Sequence, residues 1–482
     1  HIKDFEIIKE LPEATLEIAR KKAESEKLSW YLFDADPTSF WDIMEYCSSE
    51  KVRKYFQTKR NQFATEKWCD NRPIVLEILK LTQKKAKLMW YKNFAEVSLS
   101  TKMAKKPEVV FELLEWIAKK ARKKSKEELK ELKKYFQLKE IKPWDNAYYS
   151  RKLKEEKYLL DEKELKNYFW YHIINYLFSF VKDFYGIEMK KIETKTYNND
   201  VEVFEVYKNW KLISYYLLDL FYRETKRPWA WAENVRRKFW KKVPIMINVC
   251  NFQKQEWNIL FTMRDVETLF HEFGHALHEM LSESKYSDLS WFNVEWDFVE
   301  LPSQINENWV NNRESLEKLW KHYQTWKPIP KNMLDKLDDL KTFMSWLFTI
   351  KQIEFGLLDM KLYSKNPPKT VEELDRVCLK IANEVWVFKR WEEYKMYASF
   401  SHIFWWWYDA WYYGYIWAEL LEADVFEKIK ELWMFKKDVW EKFLKTILWQ
   451  WTKKEAWKLF YDFMWRELSS EAFMKRNWFL TK

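Results

Sequence analysis

Glycine is almost missing from this chain, with four in 482 residues, where an ordinary globular protein uses about 7%. Turns, helix ends and places where backbone approaches a ligand normally depend on it. Cysteine is sparse too. The four, Cys47, Cys69, Cys250 and Cys378, are widely spaced and form no CxxC pair, which excludes a disulfide framework and a thiolate metal site and suggests reduced structural thiols. The chain has only seven histidines, no internal repeat and no long low-complexity linker. Its most apolar stretch, 402–421, contains His402, Asp409 and Glu419, so no membrane helix is expected.

Tryptophan and charge are abundant instead. There are 32 tryptophans, and tryptophan and glycine together number 36, an ordinary glycine content. Tryptophan therefore stands where glycine belongs. The net charge is +10, yet the most basic run, 119–134, is mixed in sign and amphipathic, with Leu129, Leu132 and Phe136 on one side. That pattern is a solvated helix face and not a nucleic-acid surface. A mild preference for acidic peptides is the most the charge implies.

The stretches 10–28, 40–66, 73–95, 107–136 and 162–185 carry apolar residues at spacings of three and four with few breakers, which predicts helices. A β-rich interlude follows at 201–207, 211–223 and 243–252, with a short apolar ILFT at 259–262. A small sheet of this kind offers an edge on which an extended peptide can pair. After Glu300 the pattern is helical again.

The chemistry concentrates in His271-Glu272-Phe273-Gly274-His275, with His278 just beyond. On a helix, positions i and i+4 stack on one face, so both imidazoles reach one ion. Glu272 lies about 100° around the helix and is left free to act as a general base. A catalytic zinc needs a third protein ligand and an open fourth position, and Glu300, 29 residues after His271, is the best candidate. Asp265, Glu267 and Asp297 are candidates for orienting the ligand imidazoles. Packing suits His278 better than ligation, and His172 and His322 stand outside any constellation.

HEFGHALH followed by DFVELPSQ and ENW resembles the thimet oligopeptidase and oligopeptidase A family of zinc peptidases, which includes peptidyl-dipeptidases. The resemblance runs in order through KNFAEVSLSTKMA at 92–104, PWDNAYYS at 143–150, YYLLDLFYRETKR at 215–227, VCNF at 249–252 and the segment 401–426. It implies a mainly α protein, with two helical lobes around a deep substrate channel and a small β-sheet next to the zinc helix. An incomplete helical part is expected over 1–195 and the catalytic zinc-peptidase domain over 196–482, the chain being an N-terminally truncated fragment. It further implies a metalloendopeptidase acting on short peptides, one Zn2+ per chain on His271, His275 and Glu300, and Glu272 as base. His402, Tyr408 and Tyr415 would surround the scissile carbonyl. A cytoplasmic monomer that binds neither nucleic acid nor membrane is expected. The alternatives are a peptidyl-dipeptidase, or an inactive peptide-binding scaffold if the tryptophans are genuine.

The resemblance also divides the tryptophans. Trp90, Trp229, Trp291, Trp405, Trp406, Trp407, Trp411, Trp451, Trp465 and Trp478 fall where relatives carry glycine, whereas Trp68, Trp144, Trp296, Trp309 and Trp417 fall where relatives have tryptophan. A UGA codon used for glycine in the source but translated as tryptophan accounts for both groups.

Overall fold

The computed structural model describes residues 1–482 apart from 35–36, 159–161, 224, 228, 241, 255–258, 282–293, 405–408, 451–452 and 478–482. Tyr408 and the tryptophans at 291, 405–407, 451 and 478 lie outside the described residues. The fold is mainly helical with a small mixed sheet. By contacts the chain divides into two compact units, each assembled from distant segments. The first comprises His1–Ser100, Ala104–Leu159 and Asp339–Tyr413, and the second Thr101–Met103, Leu160–Asp338 and Gly414–Lys482.

Five helices bear on function: α1 (Pro107–Tyr135), α2 (Met263–Met280), α3 (Leu301–Asn311), α4 (Ser345–Ser364) and α5 (Gly414–Glu431). The sheet strands are β1 (Ile187–Ile192), β2 (Glu202–Lys208), β3 (Lys211–Phe221), β4 (Trp231–Arg236) and β5 (Ile245–Phe252), in the order β1-β2-β3-β5-β4.

In the first unit, α1 buries a stripe that includes Val110, Leu114, Ile117, Ala121 and Leu132, so the lysine-rich run is the solvated side of an amphipathic helix, as expected. It packs against α4, where a Cβ on Gly356 would meet Leu114 Cδ1 at 3.2 Å. The helix expected over 40–66 is two helices, Pro37–Tyr46 and Glu50–Asn61. Arg53, buried, holds the break by donating to the Cys47 carbonyl at 2.7 Å and to Asp145 at 2.6 Å.

In the second unit the strands read from the sequence are present, and two others join them. β1 begins just after Gly186, whose φ of 67° ends the preceding helix, and β4 pairs antiparallel with β5. β3 and β5 run parallel and the other neighbours antiparallel. β5 lies between β3 and β4 and is almost wholly buried. From it Asn248 donates to the Glu272 carbonyl at 2.8 Å and accepts from the Tyr216 hydroxyl at 2.6 Å, tying the sheet to the middle of α2. ILFT forms no strand beyond a single bridge from Leu260 to Trp170, and its Thr262 caps α2 reciprocally with Asp265. Among the described residues no helix is long and apolar enough to cross a membrane.

The crossing of α2 over α3 depends on Gly274. A Cβ built there would lie 2.6 Å from Ser303 Cα and 2.7 Å from the Pro302 carbonyl oxygen, and neither backbone atom can swing aside. Gly274→Ala is therefore expected to destabilise the protein by about 1–3 kcal/mol, overpacking outweighing the roughly 1 kcal/mol that alanine gains in helix propensity. A urea unfolding midpoint that stays level or rises would show that the crossing tolerates a methyl group.

Candidate metal centre

His271 and His275 lie one turn apart on α2, and Glu300 is the residue that precedes α3. The crossing at Gly274 brings them together. Glu300 Oε2 stands 3.2 Å from the Nε2 of each histidine, and the three ligand atoms lie within 4.8 Å of one another. Donor atoms about 2.0–2.1 Å from a tetrahedral zinc stand roughly 3.3–3.4 Å apart, so the spacing suits a small divalent cation. The donor set, two imidazole nitrogens and a carboxylate, suits one too. Ser303 fixes the carboxylate by donating its hydroxyl to Glu300 Oε2 at 3.0 Å and to the Glu300 carbonyl at 2.8 Å.

Charge in this unit is held by mutual compensation. Burial works against ionised Glu300, yet His275 and His271 hold its carboxyl well below the usual carboxylate range. Burial likewise works against charged His271, but Glu300 and Glu307 outweigh it and raise its pKa well above the ordinary value. Glu272 is buried, and burial raises its carboxyl against the pull of His271 and His275. A raised carboxyl pKa suits a group that must both accept and return a proton. His278 is fully buried, and burial drives its pKa well below the ordinary value, in keeping with packing.

Glu307 is the residue that sequence reasoning missed. Its Oε1 lies 2.6 Å from His271 Nδ1, which leaves Nε2 for the cluster. Burial pushes the Glu307 carboxyl up to about 7, and His271 draws it down. The signal lay in the ENW run, where Glu307 follows Glu300 by seven residues, two helical turns on the same face. Each of the acids expected in this role makes a described hydrogen bond to another group. Asp265 belongs to the α2 cap, Glu267 accepts from Asn311 at 2.5 Å, and Asp297 accepts from the Met103 amide at 2.8 Å.

Tyr415 opens α5, and its carbonyl accepts from Gln304 of α3 at 3.4 Å. His402 belongs to the first unit, in the short turn Ser401–Ile403, where its ring stacks on Phe400 at a centroid distance of 5.9 Å. The structure thus gathers His271, Glu272, His275 and Glu300 in one unit and places His402 in the other.

The model of peptidase family M3 matches residues 43–478. The chain is 35% identical over 493 residues to oligopeptidase A of Escherichia coli strain K12, covering 96% of this chain and 71% of that one. It is 29% identical over 372 residues to dipeptidyl carboxypeptidase of the same strain, covering 74% and 54%. Among solved structures, that of PZ peptidase A with an inhibitor has a similar fold, with TM-score 0.59 and 15% identity over 91% of this chain and 70% of that one. M3 peptidases require a divalent metal, and a match over nearly the whole length places this chain among them: it belongs to peptidase family M3 and is a metallopeptidase.

Proposed function

We propose that the protein hydrolyses internal peptide bonds of short, unstructured oligopeptides, with one zinc ion held by His271, His275 and Glu300. The observation that carries this reading is the convergence of those three donor atoms within 4.8 Å, beside a buried glutamate. The chemistry a bound zinc supplies there is Lewis acidity, which polarises the carbonyl and lowers the pKa of water.

The chain's own residues supply the rest. Glu272 takes the proton from the attacking water and later delivers it to the leaving amine. Glu307 holds His271 through Nδ1, so that the lone pair of Nε2 faces the cluster. On the family resemblance, His402, Tyr408 and Tyr415 are assigned to the scissile carbonyl, where a phenol donor meets the negative charge that develops on oxygen. A cytoplasmic monomer completes the reading.

Glu272→Gln is expected to lower kcat on a quenched-fluorescent oligopeptide by at least about 100-fold while leaving the zinc content of the purified protein unchanged. Retained activity would remove Glu272 from the reaction. Mass analysis of the products tests the substrate class: cleavage at internal bonds is expected, and release confined to C-terminal dipeptides would replace the oligopeptidase reading with a peptidyl-dipeptidase. Glu307→Gln is expected to weaken zinc binding about 10–100-fold in competition with a chelator. Unaltered affinity would leave Glu307 a packing residue.

A further inference from the structure

Helix α4 presents one stripe of residues, three and four apart, to Ile403 and to residues 409–413 of the same unit. The Tyr412 hydroxyl donates to Gln352 Oε1 at 2.7 Å. The rings of Phe355 and Tyr412 meet edge to face at 5.5 Å. A Cβ on Gly356 would stand 3.7 Å from the Tyr413 Cα, an ordinary contact distance. The Tyr363 hydroxyl donates to the Ile403 carbonyl at 2.9 Å and to Asp409 at 3.2 Å.

At the centre of the stripe is Asp359, fully buried. Its Oδ1 accepts the Ala410 amide at 2.9 Å, and its Oδ2 accepts the amides of Trp411 and Tyr412 at 2.7 and 2.8 Å. Three consecutive N–H groups converge on one carboxyl group; burial pushes that carboxyl up to about 8, and the three amides draw it down. Ala410 sits at φ 54°, a conformation that costs a non-glycine residue energy and persists only where its surroundings enforce it. Ser98 adds a further tie by donating to the Asp409 carbonyl at 2.7 Å.

We propose that Asp359 is a positioning residue for peptide hydrolysis: by gathering these three amides it fixes the backbone at Ala410, Trp411 and Tyr412, three residues before the proposed donor Tyr415. This rests on the donor role given to the tyrosines above. The Asn side chain of Asp359→Asn turns an N–H toward at least one backbone donor, so a bond is lost and a repulsion added.

The test is a double-mutant cycle on the zinc-loaded protein, with active sites counted by titration with a tight-binding transition-state analogue. Asp359→Asn is expected to lower kcat per active site about tenfold or more with little change in KM. Tyr408→Phe and Tyr415→Phe are then expected to cost much less in the Asp359→Asn background than alone. Full additivity would overturn the proposal, because a residue that merely supports the fold reduces the number of active sites and not the worth of the hydroxyls. If neither tyrosine substitution affects the parent protein, the donor reading fails and the proposal with it. Should Asp359→Asn not fold, Tyr363→Phe removes one tie to the same segment, and the same non-additivity on a smaller scale is expected.

A separate observation concerns the backbone. Fifteen described non-glycine residues have positive φ, and eight are tryptophan: Trp30, Trp90, Trp210, Trp229, Trp240, Trp326, Trp433 and Trp465. At 32 tryptophans in 482 residues, chance supplies roughly one. All eight are more than half exposed, from 54% to 94%, so the indole gains little burial for a strained backbone. The local motifs are those glycine serves. Asn209-Trp210 is the two-residue turn between β2 and β3, with φ of 50° and 64°, the mirror-image turn for which Asn-Gly is the favoured pair. Trp90 follows the helix Arg72–Leu88, and the Tyr91 amide reaches back to the Ala86 carbonyl at 3.0 Å, a glycine-type helix stop. Trp465 caps the helix Ala456–Met464 at φ 58°.

The structure assigns glycine to these eight positions. Five of them, Trp30, Trp210, Trp240, Trp326 and Trp433, were not singled out by the sequence pattern. Trp144 and Trp309 are buried and have no positive φ, and Trp144 donates to Glu50 at 3.2 Å, so they serve as controls. The gene is expected to carry UGA at all eight and UGG at the controls. Peptides of the protein isolated from its source should be lighter at the eight by the difference between an indolylmethyl group and hydrogen. UGG codons, or tryptophan masses, at the eight would overturn the assignment.

Discussion

The candidate metal centre depends on one steric permission. Two helices can cross closely enough to bring a carboxylate from one against two imidazoles of the other only where a side chain is missing, and Gly274 supplies that gap between the histidines. Glu300 is the N-cap of its helix and Ser303 holds its carboxylate, so the candidate third ligand is fixed by backbone geometry as much as by its own rotamer. Asn248 extends the constraint into the sheet by taking hold of the Glu272 carbonyl. Glu272, the two histidines and strand β5 are one connected body.

That body concentrates charge where water is scarce. Glu272, His275 and Glu300 are buried, and Glu307 is largely so. Isolated buried charges are costly, and removing one partner of such a set leaves the others uncompensated. The opposed pKa shifts of His271 and Glu300, one raised and the other lowered, follow from their pairing. Glu307 acts from the far side of the His271 ring and sets which nitrogen faces inward. In the other unit Asp359 is also a buried carboxylate, but its partners are backbone amides instead of imidazoles. One carboxylate helps to build the candidate centre, and the other holds the backbone that leads to the candidate donors.

Much of the secondary structure was legible because most helices are amphipathic and the inner strands are apolar. β1 and β4 are edge strands with a single neighbour each, so half of their surface is polar and the alternation that marks a strand is weak. The break at Cys47–Ser49 is held by Arg53 and its pairing with Asp145, residues nearly a hundred positions apart, and no local window contains that information. Glu307 was passed over in favour of acids nearer the histidines in sequence, although distance along the chain is no guide to which carboxylate a crossing helix presents.

The sequence by itself determined the family and singled out the candidate ligand pair, third ligand and base, because helical periodicity and a long ordered series of motifs depend only on the order of residues. It also exposed a shortage of glycine that no ordinary backbone can sustain. Tertiary structure alone decided which carboxylate steadies His271, that residues 339–413 return to the first unit, that Asp359 gathers three amides, and which tryptophans occupy left-handed backbone. These are relations between segments remote in sequence, or dihedral angles imposed by closing turns, and they exist only once the chain has folded.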